Sequence, residues 1–175
     1  TQARDLEMLK ELQLSKPGNL AREILLNDMK LLQENGASPV LNVIKYYERD
    51  DFFLTDVYSY HVDRSPIPTY TFLCTYYGAS SDIMPNSQVV QKILVPEIRA
   101  ELRKLHDGMD DDFESFLTEN FFDLHYQANP IAKPTNLGIG HLWRLAVDHP
   151  DSKVPACVHR APIESNGQRR LLLIC

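Results

Sequence analysis

Cysteine is scarce: Cys74, Cys157 and Cys175 stand far apart in 175 residues and form no C-x-x-C pair. That argues against a disulfide framework and a cysteine-rich zinc site, and an odd count suits a reducing compartment. No apolar run approaches the roughly 18 residues that a membrane-spanning helix needs. Positive charge is in deficit, with 18 Lys+Arg against 24 Asp+Glu and a net charge of −6. The phosphate-tracking surface of a nucleic-acid binder is therefore not expected, although a local basic pocket is still compatible with that balance. The start lacks a charged segment followed by an apolar one, so no signal peptide is read there and the expected localisation is cytoplasmic. Gly138-Ile139-Gly140 lacks the third glycine and the preceding strand of a dinucleotide fingerprint. Asp110-Asp111-Asp112 lacks the later glutamate of a calcium loop and reads as a solvated acidic turn.

What is present is ordinary globular material: 43% hydrophobic and 24% charged residues. The length fits one domain, which at this size buries roughly two-thirds of its unfolded surface and needs no covalent staples. Residues 1–36 read as a helical element. Leu6, Leu9, Leu12 and Leu14 recur at near-helical spacing, and a second helix capped by Asn19 carries Leu20, Ile24, Leu25, Met29 and Leu32 before Gly36 ends it. From Val40 the pattern becomes strand-like in VLNVIKYYER, FFLTDVYSYHVD and TYTFLCTYYG, with Arg49-Asp50-Asp51 as a turn. Residues 88–128 read as a mostly helical insert in which Pro96 starts or kinks a helix. HLWRLAV, PACVHRA and RRLLLIC read as closing strands, with Asn166-Gly167 as a hairpin turn. The expected class is therefore mainly β with helices (α+β), an antiparallel sheet pair or barrel spanning 40–175, rather than a doubly wound parallel sheet.

The sharpest local feature is His61-Val62-Asp63 at a strand end. Residues i and i+2 of a strand share a face, so an imidazole and a carboxylate project together. That is two-thirds of a facial 2-His-1-carboxylate iron site, and His159 in PACVHRA is the best candidate for the third ligand. His141 and His149 are the alternatives. Ten residues intervene between His159 and Arg170, which opens the last apolar strand. A buried arginine must be paired, and a guanidinium fork suits a carboxylate. Arg169 is adjacent and points the other way in a strand, so one of the two faces inward, and position favours Arg170.

HVD at 61–63, TFLCTYYG at 71–78, CVHRAP at 157–162 and RRLLLI at 169–174 together resemble the Fe(II)/2-oxoglutarate-dependent oxygenase superfamily. They are closer still to a bacterial family of uncharacterised proteins with H-V-D, C-T-Y-x-G and late H-R-[SA]-P motifs. The resemblance covers roughly residues 40–175. It implies a double-stranded β-helix (jelly-roll) core, Fe(II) held by His61, Asp63 and His159, and 2-oxoglutarate bound through Arg170. It also implies a cosubstrate-contacting hydroxyl at Tyr76. The implied activity is oxidation of a C–H bond in a small-molecule or protein substrate.

Two departures stand out. The superfamily often has Ser or Thr two residues after the arginine, where this chain has Leu172, and the close family's G-P-G-T stretch is replaced by Gly78-Ala79-Ser80-Ser81-Asp82. The competing reading is a cupin-like metal- or ligand-binding protein without turnover. His125 lacks partner spacing, His106 sits at a helix end, Trp143 reads as core or pocket wall, and a Cys157–His159 nucleophile pair lacks a helix N-terminus to activate the thiol.

Overall fold

The computed structural model describes residues 2–47, 56–163 and 167–175. The expected turn at Arg49–Asp51, the start of the second strand-like run and Asn166 lie outside them. Two helices open the chain, α1 (Gln2–Glu11) and α2 (Lys16–Glu34). The cap of α2 is Ser15, whose hydroxyl accepts from the Gly18 N–H, with Pro17 in the first turn. Asn19, the expected cap, lies one turn inside, because Pro17 already has the φ a first turn needs. Gly36 follows with φ +80°, as a helix stop requires. Arg22 of α2 donates to the Lys10 and Leu12 carbonyls at 2.8 and 2.9 Å. It thereby satisfies acceptors that the end of α1 leaves open.

Among the described residues ten strands follow: β1 (Val40–Ile44), β2 (Tyr60–His61), β3 (Tyr70–Tyr77), β4 (Asp82–Met84), β5 (Val89–Gln91), β6 (His125–Ala128), β7 (Thr135–Asn136), β8 (Trp143–Ala146), β9 (Val158–Arg160) and β10 (Arg170–Ile174). They form a sheet in the order β1-β10-β3-β8 and another in the order β5-β6-β2-β9-β4-β7. Every paired strand is antiparallel. The chain is thus mixed α/β with two antiparallel sheets, one curled as a half-barrel.

Between β5 and β6 lie α3 (Pro96–Leu105) and α4 (Phe113–Glu119), around a small core of Ile93, Leu102, Phe113 and Leu117. The insert is less helical than its composition suggests. Val89–Gln91 pairs with β6, because a β-branched pair beside an open strand edge gains ladder bonds that an isolated turn of helix cannot supply. Pro96 starts α3, one of the two outcomes the sequence allows.

Period-2 alternation along β3 builds the two faces of the first sheet. Cys74 and its neighbours Phe72 and Tyr76 pack on Leu25, Met29 and Leu32 of α2. Leu73 faces the other way and joins Leu137, Leu145 and Leu172, with Ile83 of the second sheet and Cys157 just before β9 packed alongside. The inter-sheet space is therefore apolar at one end and polar at the other, where β2 and β9 enter it. Gly78 closes β3 with φ +85°, and a Cβ there would lie 2.5 Å from the Arg169 carbonyl oxygen. Only glycine permits that approach of β3 to the start of β10.

Candidate metal centre

His61 and His159 are direct cross-strand partners on β2 and β9. Directly opposed residues of an antiparallel pair share a face, and here the imidazole centroids lie 4.5 Å apart. Asp63 follows His61 by two residues on the same side, and its Oδ2 lies 3.7 Å from His159 Nε2. Val62, between them, is buried on the opposite face with Tyr60, Met84 and Val158. One ligand atom from each of His61, Asp63 and His159 falls within 4.8 Å of the others, the only such group among the described residues.

Each of these side chains is oriented by a second partner. His61 Nδ1 lies 2.7 Å from the Ser59 carbonyl oxygen, and His159 Nδ1 lies 3.0 Å from that of Cys157. A carbonyl only accepts, so both rings carry the proton on Nδ1 and turn the Nε2 lone pair outward. Thr71 on β3 donates its hydroxyl to Asp63 Oδ2 at 2.5 Å. Burial, and next the neighbouring His159, hold the His61 imidazole below its ordinary pKa, which favours the neutral, ligating form. Two neutral imidazoles and one carboxylate fit Fe(II), and a facial set of three leaves the rest of an octahedron open.

The three residues line a cavity of about 120 Å³ together with Thr71, Ser81 and Arg170. Arg170 is 1% exposed and donates to Ser81 Oγ at 2.7 Å, with Thr75 Oγ1 at 3.5 Å. Arg169 is exposed, so of the two arginines it is Arg170 that faces the site. Ser81 and Thr75 thus place two hydroxyls beside the Arg170 guanidinium.

Tyr76 is not where the resemblance implies. Its hydroxyl donates to Asp28 Oδ2 of α2 at 2.7 Å, on the outer face of the sheet. Alternation decides this: Thr71, Leu73 and Thr75 take the inner face of β3, so Tyr76 takes the outer one. Of the alternative ligands, His141 is exposed, and His149 Nδ1 accepts from the Asp151 N–H. His106 stacks on Phe113 and Phe116. Burial pushes the Cys157 thiol pKa up, the opposite of what a nucleophile paired to His159 needs.

His125, for which the sequence offers no partner spacing, belongs to the same row. It pairs with His61 on the other edge of β2, is 6% exposed, and has its ring centroid 5.7 Å from that of His61. Burial first, then His61 and Lys92, lower its pKa to about 3. Lys92 is itself buried and donates to Ser59 Oγ at 2.7 Å, beside the carbonyl that orients His61. A second cavity, of about 200 Å³, opens between His61, Asp63, Val57, Leu124 and His125. No spacing in the sequence signals His125, since only the pairing of two short strands puts it beside His61.

No family model, curated protein or solved structure matches the chain.

Proposed function

We propose that the protein is a non-haem Fe(II)- and 2-oxoglutarate-dependent dioxygenase, a hydroxylase acting on a small molecule or a protein side chain rather than on nucleic acid. The observation that carries this is the sharing of one cavity by a 2-His-1-carboxylate set and a buried arginine. 2-Oxoglutarate has two ends of different chemistry, a 2-oxo acid that chelates a metal and a distal carboxylate that suits a guanidinium. The same cavity offers a partner to each end. Bound together, Fe(II) and 2-oxoglutarate supply the activation of O₂ and the oxidation of a C–H bond.

The chain's own contribution is placement. The Ser59 and Cys157 carbonyls hold the two imidazoles as Nε2 donors, and Thr71 fixes the carboxylate. Ser81 sets the direction of the Arg170 guanidinium. Leu73, Leu172 and Ile174 line the same cavity and keep water scarce around it. The strand order supports a jelly-roll core. With β5 and β6 of the insert set aside, the remaining strands numbered 1 to 8 run 1-8-3-6 in one sheet and 2-7-4-5 in the other. Pairings 1/8, 2/7, 3/6 and 4/5 arise when one long antiparallel ribbon rolls up on itself.

Leu172 favours the second reading, a cupin-like protein that binds a metal without turnover. Ser81 and Thr75 beside Arg170 weigh against it. The test is anaerobic addition of Fe(II) and then 2-oxoglutarate to metal-free protein, watching for the visible charge-transfer band of the chelate. The expected band needs both additions and is lost in His61→Ala and Arg170→Ala. Metal binding that depends on His61, with no band in any form, selects the cupin-like reading. Absence of metal binding refutes both.

A further inference from the structure

Two cavities meet at His61 and Asp63, and only one of them contains Arg170. The other is walled by His125, and that histidine differs from the ligating pair in one respect. His61 and His159 each give Nδ1 to a backbone carbonyl, which leaves Nε2 as a lone-pair donor. His125 Nδ1 is buried with no hydrogen-bond partner among the described residues. A buried N–H without an acceptor is rarer and costlier than a bare acceptor, so the proton of a neutral His125 belongs on Nε2. That places an N–H donor, not a lone pair, on the nitrogen left to face the cavity. His125 also falls outside the group of atoms close enough to share one ion. It stands one strand further along the same row, where it reaches a molecule bound to the metal rather than the metal itself.

We propose that the His125 cavity is the substrate side of the metal centre, and that His125 donates a hydrogen bond to the exogenous molecule bound there. The proposal rests on His61, Asp63 and His159 holding a metal, as argued above. The ligand class is set by the donor: a small molecule or side chain that presents an oxygen or nitrogen acceptor next to the metal. Val57 and Leu124 supply an apolar part of the wall, and Asp56 and Arg64 a charged part, so the occupant is short and amphipathic.

Azide is a suitable probe, because it binds open positions of a divalent metal and accepts hydrogen bonds. The protein is loaded with Co(II) and titrated with azide, following the cobalt visible spectrum, in wild type, His125→Phe and His125→Gln. Loss of one hydrogen bond predicts azide binding about tenfold weaker in His125→Phe. Co(II) affinity stays within about threefold of wild type, and His125→Gln regains much of the azide affinity through its amide N–H. Equal azide affinity in wild type and His125→Phe overturns the proposal. So does a tenfold or larger loss of Co(II) affinity in both His125 variants, which makes the residue a ligand or a strut. Wild-type protein that takes up no Co(II) overturns it together with the metal centre. The expected azide pattern without any 2-oxoglutarate band refutes the dioxygenase and leaves the His125 role standing.

Discussion

Thr71→Val is the most economical probe of the proposed metal centre, because it changes one hydroxyl into a methyl on a strand that contributes none of the proposed ligands. Thr71 Oγ1 donates to Asp63 Oδ2 at 2.5 Å, and that oxygen lies 3.7 Å from His159 Nε2. A hydrogen bond to a charged group contributes about 1.5–3 kcal/mol. Partners of metal ligands typically change metal affinity by about 10–100-fold, or roughly 1.4–2.7 kcal/mol. The two ranges overlap, so Co(II) dissociation constants in Thr71→Val are expected to rise by about 10–100-fold. Valine keeps the shape and β-branching of threonine, so β3 and its pairing with β10 persist. The assay is Co(II) titration against a competing chelator, with far-ultraviolet circular dichroism as the check on folding. Thr71→Ser restores the donor and is expected to return most of the affinity. Wild-type-like Co(II) binding in Thr71→Val, alongside lost binding in His61→Ala, would falsify the claim that Thr71 sets the carboxylate.

Other outcomes follow from the same structure. Tyr76 is held protonated, first by burial and then by its hydrogen bond to Asp28, so its pKa is raised in the folded state. The stability this supplies is complete below the unfolded value near 10 and falls as pH rises above it. Urea unfolding at pH 8 and pH 11 should therefore lose more stability in wild type than in Tyr76→Phe, and an equal loss refutes the assignment. Gly78→Ala places a Cβ 2.5 Å from the Arg169 carbonyl at a positive φ. Positive φ alone costs an alanine about 1–2 kcal/mol, so a drop of at least that size in urea unfolding is expected. Metal at about 100 times its dissociation constant should stabilise wild type by about 2.7 kcal/mol, read as a rise in thermal midpoint, and should not stabilise His61→Ala.

Much of the frame was legible in the sequence because it is local. Of the expected face of α2, Leu25, Met29 and Leu32 are buried, while Leu20 and Ile24 at its margin are exposed. The β-branched and aromatic run at 70–77 predicts β3, and RRLLLIC predicts β10 with Arg170 inward. Short elements were not legible. β4 and β7 span three and two residues, too few for any period to register, and they exist through pairing with β9 and with each other. Val89–Gln91 carries residues that a helix also accepts, and an available edge of β6 decided the matter. At Tyr76 a motif-level expectation met strand parity, and parity prevailed.

The sequence by itself determined which chemistries were at hand: an imidazole and a carboxylate two residues apart, a second imidazole near the end of the chain, and an arginine opening the last strand. Those are properties of residue type and of period-2 geometry, which act over a few residues. Tertiary structure alone decided which histidines meet. His61, His125 and His159 are drawn into one row by the pairing of β6, β2 and β9, across separations of 64 and 98 residues from His61 that no local rule spans. The Nδ1 contacts of His61 and His159 are local, to carbonyls two residues back at Ser59 and Cys157, whereas it is the fold that seals His125 Nδ1 away from any such partner among the described residues.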